Sequence, residues 1–263
     1  MNRLEKIFSD KDKRKKLAVY YTCGCPSMEQ SAGNICKLIE SGADIIELGI
    51  PFSDPMADGP VIQLCSEQAI GAGATLKGGF DVSAKVRAVH ADTPIVLFSY
   101  FNVIFSYGVE RAIADFAAAG GDALLVVDLP FEEQHELSAY CEKYNIHLIQ
   151  LIAPETPEAR MKKIANAAKG FIYMVTVNGV TGERAGLPVE LNAKIDKLKA
   201  LTDVPVLAGF GVSDAATAKL ASERCDGVIV GSAIMRRVLK SAEEPEEFDF
   251  ACKLTRDIAG VLN

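Results

Sequence analysis

Short apolar runs and longer amphipathic stretches alternate along this chain from end to end. The short runs are Leu17–Thr22, Asp44–Leu48, Pro94–Ser99, Ala123–Val127, Ile146–Leu151, Phe171–Val175, Val204–Ala208 and Gly227–Val230. Rich in β-branched and aromatic residues, they have the length of strands. Between them, Met28–Glu40, Val61–Ile70, Phe80–His90, Val109–Ala118, Phe131–Tyr144, Pro157–Ala168, Glu190–Ala200, Asp214–Ala221 and Ser232–Leu239 carry helical patterns. Ser27 with Gln30 reads as a capping box for the first of these, and Gly42 sits where it should stop. Near-continuous apolar strands are buried on both faces, which implies a parallel sheet covered by helices. Eight strand–helix units in 263 residues is the count of a (β/α)8 TIM barrel, expected as a single domain over 1–263. A count cannot prove closure, so a doubly wound open sheet stays the alternative.

Three further features refine that picture. Gly42-Ala43-Asp44, Gly120-Gly121-Asp122 and Cys225-Asp226-Gly227 form a weak internal echo, each turning a helix into a strand. Met1–Asp10, with Leu4, Ile7 and Phe8 on one face, predicts an extra N-terminal helix outside the repeat. Pro245–Leu262 predicts a closing amphipathic helix.

Composition narrows the function classes. Hydrophobic residues make up 49% and charged residues 24%, enough apolar material for a full core. A net charge of -7 argues against a polyanion partner, so no nucleic acid is expected, and the run Lys11–Lys16 reads as a solvated turn. Seven cysteines, an odd number without paired spacing, do not outline a disulfide framework. Cys23-Gly24-Cys25 has no second pair to complete a metal site, and His90, His135 and His147 are scattered, so no metal is expected. The charged N-terminus lacks the apolar core of a secretory signal, and no apolar run reaches the ~18 residues of a membrane span. A cytoplasmic setting without a membrane follows as the expectation.

The candidate chemistry concentrates in 42–60. Glu47 is a lone carboxylate in an apolar strand, sharing a face with Ile45 and Gly49, and Asp58 follows on a Pro- and Gly-punctuated loop. A carboxylate there costs stability unless it is paired or used. Two carboxylates in unlike environments are a common way to separate acid and base roles. Barrels of this kind place their active sites at the C-terminal ends of strands, where Glu47 falls. Asp58 in Ala-Asp-Gly-Pro is also sound turn chemistry on its own. Later, Gly209-Phe210-Gly211-Val212-Ser213 and Val230-Gly231-Ser232 each follow a strand and open a helix, a place where backbone N–H groups can meet an anion. Gly179–Gly186 has the glycine content of a mobile lid.

The run Ile46-Glu47-Leu48-Gly49-Ile50-Pro51-Phe52-Ser53-Asp54-Pro55-Met56-Ala57-Asp58-Gly59-Pro60 resembles the signature of the tryptophan synthase α-subunit family. Asn178-Gly179-Val180-Thr181-Gly182, Gly209-Phe210-Gly211-Val212 and Gly231-Ser232-Ala233-Ile234 match its later motifs in order and spacing. The resemblance spans essentially the whole chain. It implies retro-aldol cleavage of indole-3-glycerol phosphate to indole and glyceraldehyde 3-phosphate, with Glu47 and Asp58 catalytic. It further implies that Thr181 holds Asp58 when the loops close, and that Gly182, Gly211, Gly231 and Ser232 cradle the phosphate. Tyr20, Phe98, Tyr100, Leu125, Tyr173 and Phe210 would wall the indole. No cofactor is implied for this chain, since pyridoxal phosphate belongs to a partner β subunit in an expected α2β2 assembly. Asp54 and the loop Pro51–Pro60 are candidates for that contact. Other phosphate-binding barrels, or a non-catalytic activating subunit, are the rival readings. Cys25, where an acidic residue is more usual, Thr176 in place of serine, and the lid residues Glu183-Arg184-Ala185 depart from the family pattern.

Overall fold

The structure, a computed structural model, describes residues 1–9, 14–175, 189–209 and 211–262. Its strands are β1 (Lys16–Thr22), β2 (Ile45–Gly49), β3 (Ile95–Ser99), β4 (Ala123–Val126), β5 (His147–Leu148), β6 (Gln150–Ile152), β7 (Ile172–Val175), β8 (Val206–Gly209) and β9 (Gly227–Val230). They form one sheet in the order β5-β4-β3-β2-β1-β9-β8-β7-β6, every pairing parallel. The two ends of that order, β5 and β6, flank Ile149, whose N–H donates to Leu124 O at 2.9 Å. They are halves of one strand that faces β4 on its first half and β7 on its second. The sheet therefore closes, and the open doubly wound alternative is set aside.

Alternation along each strand sorts the core into two parts. Ala18, Ile45, Val96, Ala123, Leu125, Ile149, Phe171, Tyr173, Leu207 and Ile229 fill the barrel interior. The intervening residues, such as Leu17, Val19, Ile46, Leu48, Leu97 and Val228, pack outward against the helical layer. With both faces covered, the strands need the near-continuous apolar sequence they have.

The three echoed aspartates share one task. Asp44, Asp122 and Asp226 each precede a strand and accept the backbone N–H that opens the neighbouring one: Leu17 at 2.8 Å, Ile95 at 2.9 Å and Val206 at 2.8 Å. Each also donates its own N–H to the carbonyl of that same residue. A cation balances every one of these carboxylates: Arg14 on Asp44, Arg3 and Arg87 on Asp122, Lys199 on Asp226. This two-point latch stitches the N-terminal ends of adjacent strands together.

The N-terminal helix, Arg3–Ser9, inserts Leu4 into the barrel interior with no solvent exposure, and Ile7 and Phe8 pack beside it. Asn2 Nδ2 ties it down on Asp122 O at 2.9 Å and Asn145 O at 3.0 Å. These anchors lie at the strand starts, so the helix plugs the mouth opposite the strand ends.

The helical layer differs from expectation at three places. The helix expected from Phe80 begins at Leu76, where Thr75 Oγ1 caps Gly78 N–H at 3.1 Å. Phe131–Tyr144 divides into a 3-10 turn, Phe131–Glu133, and a helix, His135–Lys143. A helix over Phe101–Tyr107 was not foreseen. At Ser27 half of the capping box forms: Ser27 Oγ accepts Gln30 N–H, and the Gln30 side chain meets the Ser27 hydroxyl instead of its amide. The closing helix runs over Glu247–Val261.

Candidate active site

Glu47 lies on β2, level with Tyr20 of β1 and Val96 of β3, one residue pair from the strand's C-terminal end. Its side chain is 1% exposed, and Oε1 is buried without a hydrogen-bond partner among the described residues. Ionised, such a group would give up its hydration for nothing. Burial accordingly pushes its carboxyl up to about 8, so it is protonated at neutral pH.

Asp58 follows in the loop that leads into the helix Pro60–Gly71. The loop is held through its backbone groups: Asp58 N–H donates to Pro55 O at 3.1 Å, and the Gln63 side-chain Nε2, from the following helix, donates to Asp58 O at 2.8 Å. The Tyr100 hydroxyl donates to Asp58 Oδ2 at 2.9 Å and accepts the Ala57 N–H at 3.0 Å. Burial raises the Asp58 carboxyl to about 6, with the Tyr100 hydrogen bond pulling the other way. The two carboxylates thus sit in unlike states near neutral pH, Glu47 protonated and Asp58 largely ionised.

Aromatic side chains close over this pair, and two glycines make room for them. A Cβ on Gly49 would overlap the Tyr20 hydroxyl, and one on Gly209 would overlap the Tyr173 ring. Without those side chains Tyr20 crosses β2 to meet Phe98 edge-on, ring centroids 5.1 Å apart. Phe98 is level with Leu125 on β4, which is fully buried in the interior. Burial, together with the nearby Asp58 carboxylate, keeps both the Tyr20 and the Tyr173 hydroxyl protonated. Tyr20, Phe98, Leu125 and Tyr173 therefore gather around Glu47 inside the barrel. Tyr100 stands slightly apart, one face stacked on Phe52 at 4.9 Å and its hydroxyl on the Asp58 loop. Nothing in the sequence paired Phe52 with Tyr100, because the contact joins loops that follow two different strands.

Gly211, Gly231 and Ser232 lie just beyond the ends of two adjacent strands at the same mouth. Register pairs Gly209 of β8 with Ile229 of β9, so Gly211 and Gly231 each stand two residues beyond level partners. Gly231 caps the helix Ser232–Lys240, whose free N–H groups point to that end. Thr181, Gly182 and Phe210 lie outside the described residues, as do Thr176 and the glycine-rich segment 178–186. Cys25 is buried in the turn after β1, which keeps its Cys25 N–H to Thr22 O bond at 3.2 Å with a thiol in place of an acid. All seven cysteines are described and free. Among the described residues, no group of three or more His, Cys, Asp or Glu side chains could hold a metal ion. No helix among them is long and apolar enough to cross a membrane.

Comparison with known proteins agrees with this geometry. The family model for the tryptophan synthase alpha chain matches residues 8–257. The chain is 44% identical over 241 residues to the tryptophan synthase alpha chain of Geotalea daltonii, covering 90% of each. It is 43% identical over 238 residues to that of Geobacter sulfurreducens, again covering 90% of each. Its backbone is similar to the crystal structure of tryptophan synthase subunit alpha from Legionella pneumophila, with a TM-score of 0.91 at 32% identity, over 100% of this chain and 98% of that one. A family match over nearly the whole length, with Glu47 near a strand end and Asp58 on the loop that follows it, leaves one conclusion: this chain belongs to the tryptophan synthase alpha chain family.

Proposed function

We propose that this chain cleaves indole-3-glycerol phosphate with Glu47 as the proton donor and Asp58 as the acceptor of the ring N–H. The overall reaction, giving indole and glyceraldehyde 3-phosphate, is the lyase half-reaction of its family. Indole is a poor carbanion leaving group, so C3 must be protonated before the bond to the glycerol carbon breaks. Glu47 delivers that proton and becomes a carboxylate, while the ring becomes an indolenine-like cation. The hydroxyl on the adjacent carbon then loses its proton, the C=O bond forms, and the electron pair of the broken C–C bond restores the aromatic ring. The Glu47 carboxylate is suited to collect the hydroxyl proton and return to its starting state. Asp58 stabilises the cation by accepting the ring N–H, an electrostatic contribution aimed at charge that exists only along the reaction path.

The observation that carries this reading is Glu47 itself, a buried carboxyl whose Oε1 has no hydrogen-bond partner among the described residues and which burial holds protonated at neutral pH. Tyr20, Phe98, Leu125 and Tyr173 would line the indole, joined by Phe210 and with Tyr100 at the edge. Gly211, Gly231 and Ser232, with Gly182, would hold the phosphate, binding energy remote from the chemistry that positions the reacting end. Thr181 would steady Asp58 on closure. The alpha chain family carries no cofactor of its own; it works with a β subunit that holds pyridoxal phosphate. An α2β2 assembly in the cytoplasm completes the reading, supported by thiols that are all unpaired. Neither rival reading, an isomerase barrel or a silent subunit, fits family membership combined with an intact Glu47 and Asp58.

Glu47→Gln tests the proposal. The isostere cannot donate the proton, so indole formation should fall by at least a thousandfold, on the order expected when an essential acid is removed. Binding of glycerol phosphate, followed calorimetrically, should persist. Near-normal turnover in the variant would overturn the mechanism.

A further inference from the structure

Tyr100 has a hydrogen-bonding arrangement that a pocket wall does not need. Its ring is fixed: 3% exposed and stacked on Phe52 with centroids 4.9 Å apart. Its hydroxyl has one proton and, among the described residues, two hydrogen-bonding neighbours. The Ala57 N–H can only donate, at 3.0 Å, so it takes up a lone pair of the phenol oxygen. The phenol proton then has one productive direction, toward Asp58 Oδ2 at 2.9 Å. A neutral Asp58 would lose the charge that makes this bond strong, whereas an ionised one accepts it in full. The backbone amide, the phenol and the carboxylate form a chain whose polarity is set by the amide.

We infer that Tyr100 is a positioning residue for the cleavage, holding Asp58 ionised through Oδ2 and so presenting Oδ1 to the indole N–H. This rests on the reading of Asp58 as the N–H acceptor. It assigns the Tyr100 hydroxyl a task separate from contact with the ring. Other ionisable groups face the same space: Glu47 from β2, Tyr20 from β1, Tyr173 from β7, and Asp128, which acts on Tyr100 from beyond β4. None of these carries a cation, so the Tyr100 proton is the favourable partner that Asp58 has from this side. Burial works against the Asp58 charge, and Tyr100 counters it.

The test is the pH dependence of kcat/KM for indole release by the isolated chain in wild type, Tyr100→Phe and Asp58→Asn. The substrate phosphate titrates identically with all three proteins, so a difference between them belongs to the protein. Tyr100→Phe should move the acidic limb upward by about one pH unit, which lowers kcat/KM about tenfold near pH 5 and about twofold at neutral pH, the effect of one hydrogen bond to a charge. KM for the substrate at alkaline pH should stay within about twofold, because the phosphate seat is untouched. A ring-fluorinated tyrosine placed at position 100 alone is a stronger donor of nearly the same shape and should move the limb downward. That measurement decides the matter if Tyr100→Phe folds poorly. Superimposable acidic limbs in wild type and the Tyr100 variants, with Asp58→Asn inactive, would overturn this inference and leave the Asp58 reading standing. Near-normal turnover in Asp58→Asn would sink that reading first.

Discussion

A single side chain concentrates the conflict between stability and chemistry. Glu47 has an ordinary value near 4.5 when exposed and about 8 in the fold, so the unfolded chain ionises first as pH rises. Below about pH 4.5 both states hold the proton and stability is undiminished. Between there and about pH 8 the unfolded state has released its proton and the folded state has not, so stability declines. Above the folded value the loss levels off. Gln at this position has no such dependence. Glu47→Gln should therefore be more stable than wild type at pH 8, by about 4 kcal/mol, with the gap closing toward pH 4. Urea denaturation at several pH values would check this, and a gap that does not vary with pH would mean Glu47 is not buried as a neutral acid. Legibility also differs by residue at this scale. Glu47 stood out because a charged letter in an apolar strand is chemically anomalous. The pairing of Tyr100 with Asp58 did not, since it spans 42 residues and depends on where two loops meet in space.

At the scale of elements, what the sequence predicted well and what it did not follow from one cause. Each strand was legible because burial on both faces demands a continuous apolar run, a pattern local to a few residues. Phe101–Tyr107 went unseen as a helix because Phe-Asn-Val-Ile-Phe-Ser-Tyr lacks a capping side chain and is made largely of aromatic and β-branched residues of low helix propensity. Its formation depends on what it packs against, including Phe101 on Phe105, centroids 5.9 Å apart. Closure was likewise invisible, because it rests on Ile149 joining two half-strands to different neighbours. The N-terminal helix makes the sharpest element-level prediction. Leu4 is fully buried in the barrel interior at the mouth opposite Glu47. Leu4→Ala should cost about 3 kcal/mol of stability through lost contacts and the cavity left behind. Its kcat should stay within about twofold, because the interior layers between plug and site are rigidly packed. Denaturant titration and an indole assay on one preparation would test both halves. A tenfold loss of kcat would show that the plug reaches the chemistry.

The whole molecule is a barrel with one usable mouth. Leu4, Ile7 and Phe8 fill the N-terminal end, so substrate entry and indole exit both belong to the end where Glu47 and Asp58 lie. On the proposed reading, a β subunit that consumes indole docks over the loops following the strands. The loop after β2 is the natural contact: Asp54 is exposed, and Met56 is 89% exposed although it is a large apolar side chain beside the site. The Met56 N–H donates to Asp54 O at 2.9 Å, so the loop's shape is set by its backbone and not by the Met56 side chain. Met56→Asp should leave indole release by the isolated chain within about twofold of wild type. It should weaken association with the β subunit at least tenfold, about 1.4 kcal/mol, by setting a desolvated charge where an apolar side chain would be covered. Sedimentation of the mixed subunits gives the affinity, and Leu4→Ala, altered at the far mouth, should bind the partner as wild type does. Unchanged affinity in Met56→Asp, or weakening by Leu4→Ala, would put the β subunit elsewhere on the barrel and require another route for indole.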